Sequence, residues 1–286
     1  MKVLLSGGTG YVGSHLVPAL QKRGHTIALL TRKQIAVSHP HITTIYNGLP
    51  NLYAFCSEWK PDAVVHLAAS VNKGSGIQDV DELAQANVLL PLHMAAAANA
   101  AGTELFLNIT TFSTSSDTNE YHPQTLYAAT KRACEDLLTY FHQSEQLRVC
   151  HLAFYDIYGP KQAHARFLNA VLASVLSNEP LEMTAGEQDI CFLHVDDAVD
   201  AIIHCLNENS NYAGPDPSKF CVYGPEVFLL KSVPERVASA LRRPKPEIRH
   251  ERPYRKNEIM RFAPRYPLLP GWAPKIDFAS GIKGIV

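Results

Sequence analysis

Tyr127 and Lys131 stand four residues apart in the stretch Leu126-Tyr127-Ala128-Ala129-Thr130-Lys131-Arg132. That spacing puts both side chains on one face of a helix, within reach of one ligand. A phenol with a pKa near ~10 exchanges protons poorly at neutral pH, and a neighbouring ammonium favours its phenolate. Lowering that pKa by ~3 units takes about 4 kcal/mol of differential interaction. A phenol tuned in this way is a general acid or base, worth ~10²–10⁴-fold in rate. A hydroxyl to hold the same substrate oxygen is offered by Leu107-Asn108-Ile109-Thr110-Thr111-Phe112-Ser113. Thr111 is the first choice there, with Thr110 and Ser113 next.

The second chemical signal is Gly7-Gly8-Thr9-Gly10-Tyr11-Val12-Gly13, a GxxGxxG pattern between an apolar strand and a helix. The glycines serve a tight turn, a close approach of backbone to pyrophosphate, and close helix–strand packing. The helix N-terminus adds free N–H groups and a partial positive charge. A dinucleotide is the expected ligand. The second strand ends Leu29-Leu30-Thr31-Arg32-Lys33, without the acid that binds a ribose 2′-hydroxyl. Arg32 or Lys33 suits a 2′-phosphate instead, which favours NADP(H) over NAD(H). Lys131 and an oxidised nicotinamide together supply positive charge to the Tyr127 phenolate.

The elements that must position these residues alternate. Strands are expected at residues 3–6, 26–30, 63–68, 105–109 and 149–154. Helices are expected at 11–23, 81–101 and 126–142, the second ending at Gly102. This alternation implies βαβ units with right-handed connections: an α/β, doubly wound parallel sheet of Rossmann type. After Tyr158-Gly159-Pro160 the composition shifts. Helices are expected at 166–177 and 196–206, then a proline- and arginine-rich stretch over 242–270. We read 1–158 as the NADP-binding domain and 159–286 mainly as a smaller substrate lobe, with about 187–206 returning to the first domain.

Composition excludes several classes. The 286 residues carry 26 basic and 27 acidic side chains, a formal net charge of −1. That is no footprint of a nucleic-acid binder or a polybasic membrane anchor. No apolar run approaches the ~20 residues of a membrane span. Six cysteines form no CxxC pair, and the histidines show no HxxxH spacing, so no metal site is expected. The N-terminus runs straight from Met1 into the glycine loop, too short for a signal peptide, and a cytoplasmic protein is expected.

Taken together the motifs resemble the extended short-chain dehydrogenase/reductase family of sugar-nucleotide epimerases, dehydratases and reductases. The glycine loop, His66-Leu67-Ala68-Ala69, Asn87, Tyr127/Lys131, Tyr158-Gly159-Pro160, Val195-Asp196-Asp197 and Gly271-Trp272 carry the likeness. Three stretches are similar to the 4-ketoreductase subgroup typified by CDP-abequose and CDP-paratose synthases. They are 126–132, Gly186-Glu187-Gln188 leading to His194, and Asn257-Glu258-Ile259-Met260 before Gly271-Trp272-Ala273-Pro274-Lys275. The resemblance implies that Gly7, Thr9, Gly10, Tyr11, Val12 and Gly13 hold the cofactor, with Arg32, Leu67, Ala68, Ala69 and Asn87. It gives Lys131 a second contact, on the nicotinamide ribose. It implies that Asn169, Arg252 and Arg255 meet a nucleotide diphosphate. The chain departs from the family at Ile190-Cys191-Phe192, where Arg-Asp-Phe is usual, at Ala153, and at Tyr46-Asn47-Gly48.

The function implied is an NAD(P)H-dependent reductase of a nucleotide-linked 4-keto-6-deoxy or 3,6-dideoxy sugar, with Tyr127 as proton donor. The alternatives are a 4-epimerase with tightly bound NAD, or an NADP-binding protein without turnover. A 4,6-dehydratase carries an acidic pair after the threonine, where this chain has Phe112-Ser113. Related proteins pair the helices near 81–101 and 126–142, so a homodimer is expected.

Overall fold

The computed structural model describes residues 1–286 except 33–41, 47–48, 73, 115–116, 118–119, 146, 163–166, 209–211, 213 and 256. Lys33, Asn47 and Gly48 therefore lie outside the described residues.

The first half alternates as its pattern requires. Strand β1 (Lys2–Ser6) leads to α1 (Tyr11–Lys22), β2 (Thr26–Thr31), β3 (Ile42–Tyr46), α2 (Leu49–Trp59) and β4 (Ala63–His66). Then come α3 (Ile77–Ala84), α4 (Leu90–Ala100), β5 (Leu105–Thr111), α5 (Leu126–Ser144) and β6 (Arg148–Phe154). A π-turn over Gln85–Leu89 joins α3 to α4. The helix expected at 81–101 thus starts earlier, at Ile77.

The second half contains β7 (Asp156–Tyr158), α6 (Phe167–Ser177), β8 (Leu181–Glu182), β9 (Asp189–His194) and α7 (Val195–Asn207). It closes with β10 (Ser218–Val222), β11 (Val227–Leu229), α8 (Val233–Leu241), β12 (Ile248–Arg249) and α9 (Phe278–Lys283). Strand β10 is absent from the sequence reading: five residues with Lys219 among them give little alternation to detect.

Seven parallel strands form the main sheet in the order β10-β6-β5-β4-β1-β2-β3. This is the doubly wound order extended by one strand, and it reverses between β1 and β4. Alternation sorts the two faces. Val3 and Leu5 of β1 pack with Leu16 and Leu20 of α1 and with Val199 and Ile202 of α7. Leu4 faces the other way, with Val64, Phe106, Met94 of α4 and Leu138 of α5. A separate core of Leu168, Val171, Phe192, Phe228, Val237 and Ile282 unites α6, α8 and α9 with β9 and β11.

Two sequence motifs prove to be joints. The Asp197 carboxylate, buried at the start of α7, accepts from Lys275 N at 3.1 Å and Ile276 N at 3.0 Å. It ties the C-terminal segment to the main sheet. Tyr158 is buried, and its hydroxyl fills the space where a Cβ on Gly281 would lie.

Candidate active site

The glycine loop leaves β1 at the switch point. Gly7 has φ of +73°, and a Cβ there would lie 2.6 Å from Ala68 N. The loop therefore abuts the segment after β4, as only glycine allows. A Cβ on Gly13 would collide with Gly7 O and stand 2.6 Å from Gly8 Cα. Helix α1 begins at Gly10 with no side-chain cap and no acid in its first turn. Its leading N–H groups and positive end point at the space over the loop, the geometry that takes a phosphate. Ser6 fixes the neighbouring strand ends: its hydroxyl bonds His66 Nδ1 at 2.8 Å and accepts from Ala68 N at 3.3 Å.

Helix α5 is pinned at its start by Thr125, whose Oγ1 accepts from Ala128 N at 3.2 Å. Tyr127 stands in the first turn and Lys131 one turn on. Lys131 is 2% exposed. Burial pulls its pKa below the ordinary lysine value, opposed by the Glu135 carboxylate. Thr111 ends β5, and its Oγ1 lies 3.0 Å from Ser113 Oγ while accepting from Ser113 N at 3.3 Å.

These groups share one cleft of about 2250 Å³. That exceeds the ~300–1,000 Å³ of a site for one drug-sized ligand, leaving room for two molecules end to end. One end is lined by Gly7, Thr9, Gly10, Tyr11, Val12 and Gly13, with Arg32 from just beyond β2 and Leu67, Ala68 and Ala69 from beyond β4. Tyr127, Lys131, Thr111 and Ser113 stand along it, and Arg252 and Arg255 line it too. Arg252 is exposed and 3.5 Å from Glu182.

Three anticipated residues sit differently. Asn87 is fully buried and does not line the cleft. Its Oδ1 accepts from Ser70 N at 2.9 Å; its Nδ2 donates to Ser70 O and Thr130 Oγ1, both at 3.0 Å. It braces the segment after β4 against α5 from within the π-turn. Thr110 lines the cleft, but its hydroxyl donates to Glu135 Oε1 at 2.6 Å. Asn169 lies on α6 outside the cleft lining, donating to Gln162 O at 3.4 Å.

A profile of the NAD dependent epimerase/dehydratase family matches residues 3–217. The chain belongs to that family. It is similar to the CDP-abequose synthase of Salmonella typhimurium, 24% identical over 99% of this chain and 97% of the relative. A CDP-abequose synthase of Yersinia pseudotuberculosis is 25% identical over 82% of each chain. Among solved structures, the UDP-glucuronic acid 4-epimerase of Bacillus cereus superposes with a TM-score of 0.83 at 19% identity, covering 99% of this chain and 97% of that one. That likeness is one of fold.

Inside the family frame this chain carries side chains that sequence reasoning passed over. Phe112 stacks on Tyr155, ring centroids 4.7 Å apart, and Phe262 packs on Tyr155 at 5.1 Å. All three line the cleft beside Thr111. Glu135 is 1% exposed and gathers Thr110, Tyr266 and the charges of Arg132 and Lys219. A sequence signal for Glu135 existed, because Tyr127, Lys131 and Glu135 repeat at intervals of four. None existed for Phe262, which reaches the cleft from a loop.

Proposed function

We propose that the chain is an NAD(P)H-dependent reductase of a nucleotide-linked 4-keto-6-deoxy or 3,6-dideoxy sugar. The observation that carries this reading is the wall beside Thr111. The two positions after Thr111 are an aromatic ring and a hydroxyl, and Phe112, Tyr155 and Phe262 form an apolar surface there. Such a surface favours a methyl or methylene over a hydroxylated carbon, because a buried hydroxyl without a partner is costly.

The glycine cradle and the uncapped start of α1 fit a dinucleotide pyrophosphate. When bound, the reduced nicotinamide supplies a hydride to the keto carbon. Tyr127 donates its phenolic proton to that carbon's oxygen as charge develops there. The Thr111 hydroxyl holds the same oxygen. Lys131 stabilises the phenolate left behind. No Asp or Glu occurs from Leu29 to Tyr46, and Arg32 lines the cleft, which supports NADPH over NADH. In this reading residues 1–158 hold the dinucleotide. Residues 159–286, apart from about 187–206, hold the nucleotide sugar, with Arg252 and Arg255 near its diphosphate. The protein acts as a cytoplasmic homodimer.

The test is loss of absorbance at 340 nm with NADPH or NADH and CDP-, dTDP- or GDP-linked 4-keto-6-deoxy sugars, alongside Tyr127→Phe. Oxidation with one sugar, lost in the variant, is expected. Isomerised sugar with no net oxidation, and NAD retained through purification, would identify an epimerase instead. Tight cofactor binding with every sugar unchanged would leave a binding protein.

A further inference from the structure

One row of side chains across the main sheet is unlike its neighbours. Ser6, His66, Asn108, His151 and Lys219 are in register on β1, β4, β5, β6 and β10. In-register residues of adjacent parallel strands share a face about 4.8 Å apart. Two residues earlier on that face the row reads Leu4, Val64, Phe106 and Val149, all apolar and fully buried. The face turns polar only at the strand ends, beneath α5 and Lys131.

His66, Asn108 and His151 are fully buried. Ser6 Oγ bonds His66 Nδ1 at 2.8 Å, and Asn108 Nδ2 bonds His151 Nδ1 at 3.0 Å. The Asn108 amide donates to His151 Nδ1, so that neutral ring carries its proton on Nε2; the Ser6–His66 bond suits either tautomer of a neutral ring. Burial and the nearby Lys131 charge hold both pKa values well below the ordinary histidine range, which keeps the rings uncharged. That leaves the ring nitrogen His66 Nε2, the donor His151 Nε2 and the acceptor Asn108 Oδ1 without partners among the described residues. Buried polar atoms in native proteins are almost always paired, and grouped orphans of mixed donor and acceptor type are what an internal water bridges. Lys131 likewise has no hydrogen bond or ion pair among the described residues.

We propose that His66, Asn108 and His151 form a hydrated polar shelf that solvates the Lys131 ammonium from the sheet side. They are positioning residues for the Tyr127–Lys131 pair, and no proton passes through them. The shelf offers Lys131 oxygen acceptors, those of Asn108 and of bridging water, where the rest of the strand face offers hydrocarbon. The charged and titratable groups around Lys131 are His66 from β4, His151 from β6, Tyr127, Cys134, Glu135 and Arg132 from α5 itself, and Lys219 beyond His151 on β10. Among the described residues only the Glu135 carboxylate favours the ammonium, because burial pushes the Cys134 thiol up to about 12 and keeps it neutral. Neutral dipoles and water must supply the remainder.

The catalytic meaning of the shelf rests on the role proposed for Lys131, but its test does not, because it is read in the free protein. The Lys131 ¹³Cε resonance of lysine-labelled protein, identified by its loss in Lys131→Met, is titrated in folded variants. Asn108→Leu removes the acceptor and is expected to lower the midpoint by about one pH unit or more. Asn108→Asp adds a carboxylate and is expected to raise it by about as much. His151→Gln keeps a polar donor and acceptor and is expected to leave it nearly unchanged. A purely structural role predicts no such pair of opposite shifts. Unmoved midpoints in both Asn108 variants overturn the proposal. Should Asn108→Leu fail to fold, an unmoved or lowered midpoint in Asn108→Asp overturns it alone.

Discussion

Lys131 and Glu135 lie one turn apart on the same face of α5, and both are all but fully buried. The carboxylate is held by Thr110 at 2.6 Å and Tyr266 at 3.0 Å, with the Arg132 guanidinium at 3.9 Å and the Lys219 ammonium at 4.0 Å. A lone buried ammonium would be driven to its neutral form. Glu135 counters that tendency from the helix itself, and Thr110 fixes Glu135 from the wall of the cleft.

Glu135→Gln removes this charge at nearly constant shape. Lys131 then loses its proton at a lower pH, so the alkaline limb of the kcat/KM profile moves toward neutrality. Glutamine leaves part of the network unpaired, and stability is expected to fall by about 1–3 kcal/mol. A urea titration and a pH–rate profile check the two effects separately. An unshifted alkaline limb in a folded variant would contradict the electrostatic role.

Lys131→Met has effects of opposite sign on stability and activity. Because burial lowers the folded-state pKa of Lys131, the unfolded chain binds the proton more tightly. The lysine therefore costs stability below its lowered pKa, and that cost disappears as pH rises toward 10.5. At pH 7 the methionine variant without cofactor is expected to melt at a higher temperature than the parent, the difference shrinking at alkaline pH. Turnover of a nucleotide-sugar substrate is expected to fall by ~10²–10⁴-fold. Differential scanning calorimetry across pH 6–10 with and without NADPH tests this (roughly the range over which lysine titration matters). A variant less stable than the parent at neutral pH would be incompatible with the argument.

The parts of this site that sequence reveals are those with a local period. The GxxGxxG loop, the i,i+4 pair and the strand-end threonines each announce themselves within seven residues, and the cleft brings Gly7, Thr111, Tyr127 and Lys131 together. What stays hidden depends on register between distant strands. His66, Asn108 and His151 stand 42 and 43 positions apart, and only the parallel pairing of β4, β5 and β6 makes them a row. Asn87 is expected at the cofactor from the family resemblance; its hydrogen-bond partners in the fold, Ser70 and Thr130, lie 17 residues before it and 43 after it. Asn169 is expected near a diphosphate from the family resemblance alone, and its amide donates to Gln162 O in the fold. The joint made by Asp197 with Lys275 and Ile276 spans nearly eighty residues and carries no sequence period at all.

Arg32→Ala tests the cofactor preference. Arg32 is exposed just past β2 and lines the cleft with the glycine loop. A charge-assisted bond to a 2′-phosphate is worth about 1.5–3 kcal/mol, or roughly 10–150-fold in affinity. The variant is expected to lose that much for NADPH and little for NADH, as measured by quenching or transfer of protein fluorescence at equal ionic strength. Equal losses for both cofactors would assign Arg32 a general role, and no loss would remove it from the site.

Two glycines of the loop separate folding from binding. At Gly13 an added Cβ meets Gly7 O and the backbone of Gly8, neither of which is a side chain able to swing aside. Overpacking of this kind costs ~1–3 kcal/mol or more, so Gly13→Ala is expected to lower the melting temperature by several degrees as well as weaken NADPH binding. At Gly10 the Cβ meets only Gly7 O, at 3.2 Å, and φ is −78°, a value open to any residue. Gly10→Ala is therefore expected to melt close to the parent while losing cofactor affinity by an order of magnitude or more, because its methyl occupies the approach of the pyrophosphate to the start of α1. Thermal melts and NADPH titrations on the pair decide it. If Gly10→Ala binds NADPH like the parent, the pyrophosphate does not lie over Gly10, and the placement of the cofactor along the cleft must be redrawn.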